Sequence, residues 1–283
     1  MTGARLSGSL LLALLTASCM GEVTTGEILS GDGVPIRYAV RGTGGPALVF
    51  VHGWSCDRTY WDAQVRHFAP RHRVVAIDLP GHGESGTGRE EWTVEAFGGD
   101  VAAVVQHLGL EEVVLIGHSV GGFVVLEAAR RIPDEVVGVV GVESWFDPDQ
   151  KVSAEQVRMI LEPLRANFAE MTETFVRAMM FAPGADSALV DRVARDMSGA
   201  PPEIALAMSE NAYLWWNEQA EAALRAVEAP MGAINAARSP TNVDALRRHA
   251  PSLEVRTMDG VGHFVMLEDP EAFNRLLEEL LPR

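Results

Sequence analysis

Cysteine is nearly missing from this chain: its 283 residues hold two, Cys19 and Cys56. A disulfide framework is therefore not the source of stability, which has to come from a packed core. Basic residues are scarce as well. The 23 Lys and Arg face 39 Asp and Glu, a formal net charge of -16. Nucleic-acid phosphates require a basic footprint, and no basic stripe is present, so a nucleic-acid partner is not expected. No apolar run approaches the ~18 residues that a membrane-crossing helix needs. Internal repeats and low-complexity tracts are absent. What remains is ordinary globular composition, 47% hydrophobic and 22% charged, with length for one large α/β domain or two small ones.

The first residues read as an export signal. Arg5 supplies a positive charge, residues 10–15 are Leu and Ala only, and Thr16-Ala17-Ser18 are small. Charge, a short apolar stretch and then small residues is the secretory pattern, with residues 1–18 removed. Cys19 directly after the small residues resembles the lipobox of bacterial lipoproteins, although Thr16 stands where that family usually has Leu. The resemblance implies an exported protein anchored through a lipid on Cys19, its only expected membrane contact. Cys56 would then be a lone thiol. It has no adjacent base and no turn of the kind that exposes a nucleophile.

The chain is organised around residues 113–130. Val113-Val114-Leu115-Ile116 reads as a buried strand, Gly117-His118-Ser119-Val120-Gly121 as a sharp turn, and residues 123–130 as a helix. Strand, Gly-x-Ser-x-Gly, helix is the context of a nucleophile elbow, in which a serine hydroxyl is lifted out at the end of a strand. Residues 26–30 and 35–41 read as an antiparallel pair around Gly31-Asp32-Gly33. Further strands are expected at 47–51, 74–77, 136–142, 231–235 and 253–258. Helices are expected at 59–68, 93–108, 243–249 and 270–281. Strands alternating with helices predict a mainly parallel sheet covered on both faces. From about 148 to 228 the alternation gives way to helical spacing rich in methionine and aromatics, broken at Pro183-Gly184 and Pro201-Pro202. Sites in such sheets lie beyond the carboxyl ends of the strands. His52-Gly53-Trp54, Ser119, Glu143 and His263 all follow strand ends.

With the His52-Gly53-Trp54 turn, Asp78-x-Pro80-Gly81-His82-Gly83-x-Ser85, the Ser119 elbow and Gly262-His263-Phe264 in this order, the chain resembles an α/β-hydrolase from about residue 27 onward. The resemblance implies a mostly parallel sheet flanked by helices. The core would be formed by 19–147 and 229–283, and 148–228 would be a helical cap. It also implies a serine nucleophile that needs no metal or organic cofactor.

A serine hydroxyl is a weak nucleophile until a base takes its proton. Of the eight histidines, His263 lies in the glycine-flexed loop where this fold places its base. His67, His72, His107 and His249 read as surface residues, and His52 and His82 as turn residues bonding backbone. His118 adjoins Ser119, where the next side chain is expected to point away from the serine. The third member, a carboxylate, orients the imidazole. Relatives usually carry it after the strand at 231–235, but here Asn235-Ala236-Ala237-Arg238-Ser239 holds no acid. Branches such as the haloalkane dehalogenases place it after the preceding strand, which points to Glu143, with Asp147 and Asp244 as alternatives. The resemblance assigns the oxyanion donors to the backbone amides of Val120 and Trp54. Trp54 and Trp61 are expected to line the acyl side, and Trp215 and Trp216 of the cap to touch substrate.

The expected reaction is hydrolysis of a small-molecule carboxylic ester. The same triad would also serve a C–C bond hydrolase, a lyase or a perhydrolase. Dehalogenases and epoxide hydrolases use an Asp nucleophile in the elbow, and Ser119 counts against both. A ligand-binding relative without catalysis is disfavoured by an intact Ser119 and His263.

Overall fold

The computed structural model describes residues 22–282, so the leader and Cys19 lie outside the described residues. Eight strands form one sheet: β1 (Thr24–Leu29), β2 (Pro35–Arg41), β3 (Ala47–Val51), β4 (Val74–Asp78), β5 (Val113–His118), β6 (Val136–Val142), β7 (Met231–Ala236) and β8 (Glu254–Met258). Their spatial order is β1-β2-β4-β3-β5-β6-β7-β8. The pairs β1–β2 and β2–β4 are antiparallel. The remaining pairs are parallel.

Every residue of β3, β4 and β5 is buried, the reason these strands read as continuous apolar runs rather than alternating ones. Side chains still alternate between the faces. Val49 and Val51 of β3 join the core beneath α2 (Val94–His107) and α3 (Val120–Arg131). Leu48 and Phe50 join the opposite core, with α1 (Asp62–Phe68) and, further on, α10 (Pro270–Leu280). A fully buried Leu or Phe contributes roughly 1.5–3 kcal/mol, so this two-sided burial stabilises the chain without cross-links. The expected helix at 59–68 is divided: a 3-10 turn (Arg58–Trp61) precedes α1. The division follows from local capture of backbone donors. Asp57 accepts the Thr59 N–H at 2.7 Å, and Asp78 accepts the Arg58 N–H at 2.7 Å.

Between β6 and β7 the chain is wholly helical. It runs through α4 (Ala154–Ala166), α5 (Phe168–Phe175), a π-helical turn (Val176–Met180), α6 (Ser187–Ser198) and α7 (Pro202–Ala226). A capping box of Ser153 and Gln156 starts α4. The π-helical turn ends where Phe181 turns extended, at φ -112 and ψ 155, Gly184 follows in the left-handed region at φ 86, and Pro202 sits at the first turn of α7, where the missing N–H costs nothing. After β7 come α8 (Val243–His249), β8, α9 (Val265–Glu268) and α10.

Candidate active site

Ser119 sits between the end of β5 and the start of α3 at φ 55, ψ -121. Such a backbone state costs a residue with a side chain about 1–3 kcal/mol and persists only where its surroundings over-determine it. Here they do. The Ser119 N–H donates to Val142 O at 2.8 Å, and Ser119 O accepts from Gly122 N at 2.9 Å and from Ser144 Oγ at 2.9 Å. Gly121 is dictated by close approach, since a Cβ there would lie 2.8 Å from Val51 O. The sharp turn leaves the Val120 amide at the N-terminus of α3. The His52-Gly53-Trp54 turn packs on the elbow so closely that a Cβ on Gly53 would come within 3.0 Å of Ser119 Cβ.

A small cavity is lined by Trp54, Cys56, His118, Ser119, Met180, Met197, His263 and Phe264. About 10 Å³ of it is open to the centre of a water molecule, which is room for roughly one water. Met180 and Met197 come from the helical segment between β6 and β7. Burial pushes the Cys56 thiol far up, which leaves it an inert wall atom.

His263 follows β8 in the loop before α9. Its Nδ1 lies 3.2 Å from Glu143 Oε2. Glu143 stands directly after β6 at φ 48 and is 1% exposed. Its carboxylate has two further donors: Oε2 also accepts from Ser239 Oγ at 3.1 Å, and Oε1 accepts the Ala236 N–H. Asp147 is engaged elsewhere, accepting from Asp149 N at 3.0 Å and Asn242 Nδ2 at 2.9 Å. Asp244 is exposed in the first turn of α8. Of the three carboxylates weighed from the sequence, Glu143 is the one bonded to His263. Asn235, at the position after which relatives usually carry the acid, braces the Glu143 segment instead. Its Oδ1 accepts from Ser144 N at 3.1 Å, and its Nδ2 donates to Ser144 O at 3.2 Å.

The other histidines sort by burial. His118 does not point away from the serine; it lines the same cavity. A carbonyl can only accept, so its Nε2–H donates to His263 O at 2.9 Å. Burial first, then the neighbouring His263, holds its pKa well below the ordinary value. His52 accepts the Leu79 N–H on Nε2 at 3.0 Å and donates from Nδ1 to Gly53 O at 2.8 Å. Burial lowers its pKa to about 4, and burial lowers that of His82 to about 3. Both are neutral turn braces. His67 pairs with Glu278 at 2.8 Å on the surface. His249 differs from expectation: it is buried, with Nε2 3.7 Å from Asp149 Oδ1.

The tryptophans divide. Trp54 lines the cavity, and its indole N–H donates to Ala205 O of α7 at 2.7 Å, tying the cap to this turn. Trp61 is not a wall of the cavity. It is fully buried, packed on Phe50 at 4.9 Å and Phe273 at 6.1 Å between ring centroids. Trp215 and Trp216 are not at the cavity either. They stack on Phe123 of α3 at 5.6 and 4.8 Å and anchor α7 to the core. A large indole face removes more apolar area from water in a core than along a narrow cleft. Among the described residues, no group of three or more His, Cys, Asp and Glu could hold a metal ion.

A sequence model of the alpha/beta hydrolase family matches residues 48–276. The chain belongs to this family. It is 26% identical over 246 residues to a pimeloyl-[acyl-carrier protein] methyl ester esterase of Methylococcus capsulatus, covering 84% of this chain and 95% of that one. It is 40% identical over 131 residues to a bifunctional esterase/perhydrolase of Acinetobacter calcoaceticus, 46% of each chain. Several such curated relatives are matched over less than half of their own length. A thermophilic esterase from Thermogutta terrifontis superposes with a TM-score of 0.78 at 25% identity, over 90% of this hydrolase and 97% of that chain.

Proposed function

We propose that this hydrolase cleaves a small carboxylic ester through an acyl-enzyme on Ser119. The observation that carries the reading is the shared cavity of Ser119 and His263, with His263 Nδ1 3.2 Å from the buried Glu143 carboxylate. The Ser119 Oγ attacks the ester carbonyl carbon while His263 Nε2 takes its proton. The carbonyl oxygen becomes an oxyanion facing the Val120 and Trp54 amides, each such donor being worth about a hundredfold or more in rate. The C–O bond to the alcohol then breaks, and His263 returns the proton to the departing oxygen. Water attacks the acyl carbon next, giving its proton to His263, and the carboxylic acid leaves as Ser119 recovers that proton. Glu143 keeps the Nδ1–H tautomer in place and stabilises the imidazolium between these steps. The likeness to two esterases supports the ester as substrate.

A cavity this small between Trp54, Cys56, Met180 and Phe264 favours short acyl groups. The test is a panel of p-nitrophenyl esters run beside labelling with a fluorophosphonate. Labelling is expected, with kcat/KM falling from acetate to octanoate. A folded protein that neither labels nor turns over any ester sinks the reading.

We also propose export with a lipid on Cys19, supported by the sequence of residues 1–19. A fatty-acid label incorporated in cells and lost in Cys19→Ala is the expected result; no label in the unaltered chain overturns it.

A further inference from the structure

The loop that carries His263 is held by the cap as firmly as by the core. Met180 closes the π-helical turn, and its carbonyl accepts the His263 N–H at 2.6 Å. Two residues later the Ala182 N–H donates to Glu268 Oε2 at 3.1 Å. The other oxygen of the same carboxylate, Oε1, accepts the Gly262 N–H at 2.8 Å. Glu268 thus bridges a cap segment and the residue just before His263. Arg238, on the loop after β7, adds a bond from Nη1 to Phe181 O at 2.6 Å. The backbones are so close that a Cβ on Gly262 would lie 2.6 Å from Phe181 Cα, so only glycine fits there. On the far side, His118 holds the His263 carbonyl.

We propose that Glu268 is a positioning residue whose carboxylate couples the seating of the cap to the orientation of the His263 imidazole against Ser119. The proposal rests on the serine-hydrolase reading above. Backbone N–H groups bonded to a carboxylate make charge-assisted hydrogen bonds, stronger than neutral ones, and here one group takes both. Met180 belongs to the same cap segment and also lines the cavity. An acyl group that fills the cavity therefore bears on the segment whose carbonyl holds His263 N–H. Cap contact with substrate and alignment of the base become one event. Glu268 touches no reacting atom; it acts through Gly262 and Ala182.

The test compares Glu268→Gln and Glu268→Ala in the full chain. Maximal rates with p-nitrophenyl acetate are divided by the number of fluorophosphonate-titratable sites to give kcat, KM is read from the same saturation curves, and thermal melts are recorded alongside. A displacement of ~1 Å at a catalytic group costs about 10²-fold. The expected result is a kcat per titrated site about ten- to a hundredfold lower in the Ala variant, with KM within a few-fold of wild type. The Gln variant, which keeps one acceptor oxygen, is expected in between. The proposal is overturned if kcat per titrated site stays within twofold while only the melting temperature falls, the mark of a brace for the fold. It is equally overturned if KM alone rises. If the Ala variant does not fold, the near-isosteric Gln variant decides. Failure of the unaltered protein to label would strike the hydrolase reading itself, and is seen before any variant is made.

Discussion

Ser119→Ala is expected to lose fluorophosphonate labelling entirely and to lower ester turnover by about 10⁴- to 10⁶-fold, because the nucleophile cannot be replaced from its neighbourhood. Cys56 lines the same cavity, but its buried thiol is held far from ionisation, and its Sγ is directed at Trp54 O at 3.3 Å. The loss should fall on kcat/KM with little change in stability. Alanine enters the same left-handed backbone state as serine, and the bonds that fix it run through the Ser119 N–H and carbonyl rather than the hydroxyl. A residual rate above the background reaction would reflect the proposed backbone oxyanion donors, which the substitution leaves in place. Labelling by mass spectrometry, initial rates over a range of ester concentrations and thermal melts check these expectations. Retention of more than about a hundredth of the wild-type kcat/KM would mean that another group attacks the substrate, against the near-complete dependence expected of a triad nucleophile.

The second large effect is expected at Glu143. Glu143→Gln should cut kcat by about 10²- to 10⁴-fold while the protein still folds. The carboxylate now accepts three donors: His263 Nδ1, Ser239 Oγ and the Ala236 N–H. A carboxamide has one acceptor oxygen. If that oxygen stays on the Ala236 N–H, its NH₂ faces His263 Nδ1 and favours the tautomer with the proton on Nε2, which cannot take the Ser119 proton. Glu143→Ala is expected to be as inactive and less stable, by about 1–3 kcal/mol for buried donors left unpaired. Urea unfolding separates the two variants, and steady-state kinetics reads their shared defect. The control is Asp147→Asn, whose carboxylate bonds Asp149 and Asn242 rather than His263. If Asp147→Asn abolishes turnover and Glu143→Gln does not, the acid has been misassigned.

Much of this was legible in the sequence because it rests on periodicity and strand ends. The apolar runs at 47–51, 74–77 and 113–116 lie in strands, and Ser119, Glu143 and His263 each follow a strand. The end of β7 also carried meaning: Asn235, within the strand, braces Ser144 and with it the Glu143 segment. Aromatic side chains were less legible. Trp54 lines the cavity whereas Trp61, Trp215 and Trp216 fill cores, and nothing in an indole or its spacing separates a wall from a core. The 3-10 turn before α1 was missed because its cause, Asp78, lies twenty residues downstream of Arg58. The contacts between cap and histidine loop were invisible for another reason. They run through the Met180 carbonyl and the Ala182 and Gly262 amides, atoms that every sequence has. Glu268 was the one side chain that could have marked them, and an acid just before a helix beginning Asp269-Pro270 reads as ordinary helix-start chemistry.

Among the described residues, four with side chains occupy the left-handed region: Ser55, Ser119, Glu143 and Trp145. All four follow strands β3, β5 and β6 around the cavity. For anyone adapting this hydrolase to heat or solvent, these are the positions where glycine would relax the backbone. At Ser119 and Glu143 the relaxed chain would lose the proposed nucleophile and the proposed acid. At Trp145 it would lose the indole bonded to Gly122 O at 3.0 Å. Ser55 alone is open to trade, its buried Oγ having no hydrogen-bond partner, yet it adjoins Trp54, whose amide is the proposed second oxyanion donor. Durability and turnover in this chain therefore compete for the same few backbone torsions, and engineering for one should begin far from the sheet's carboxyl edge.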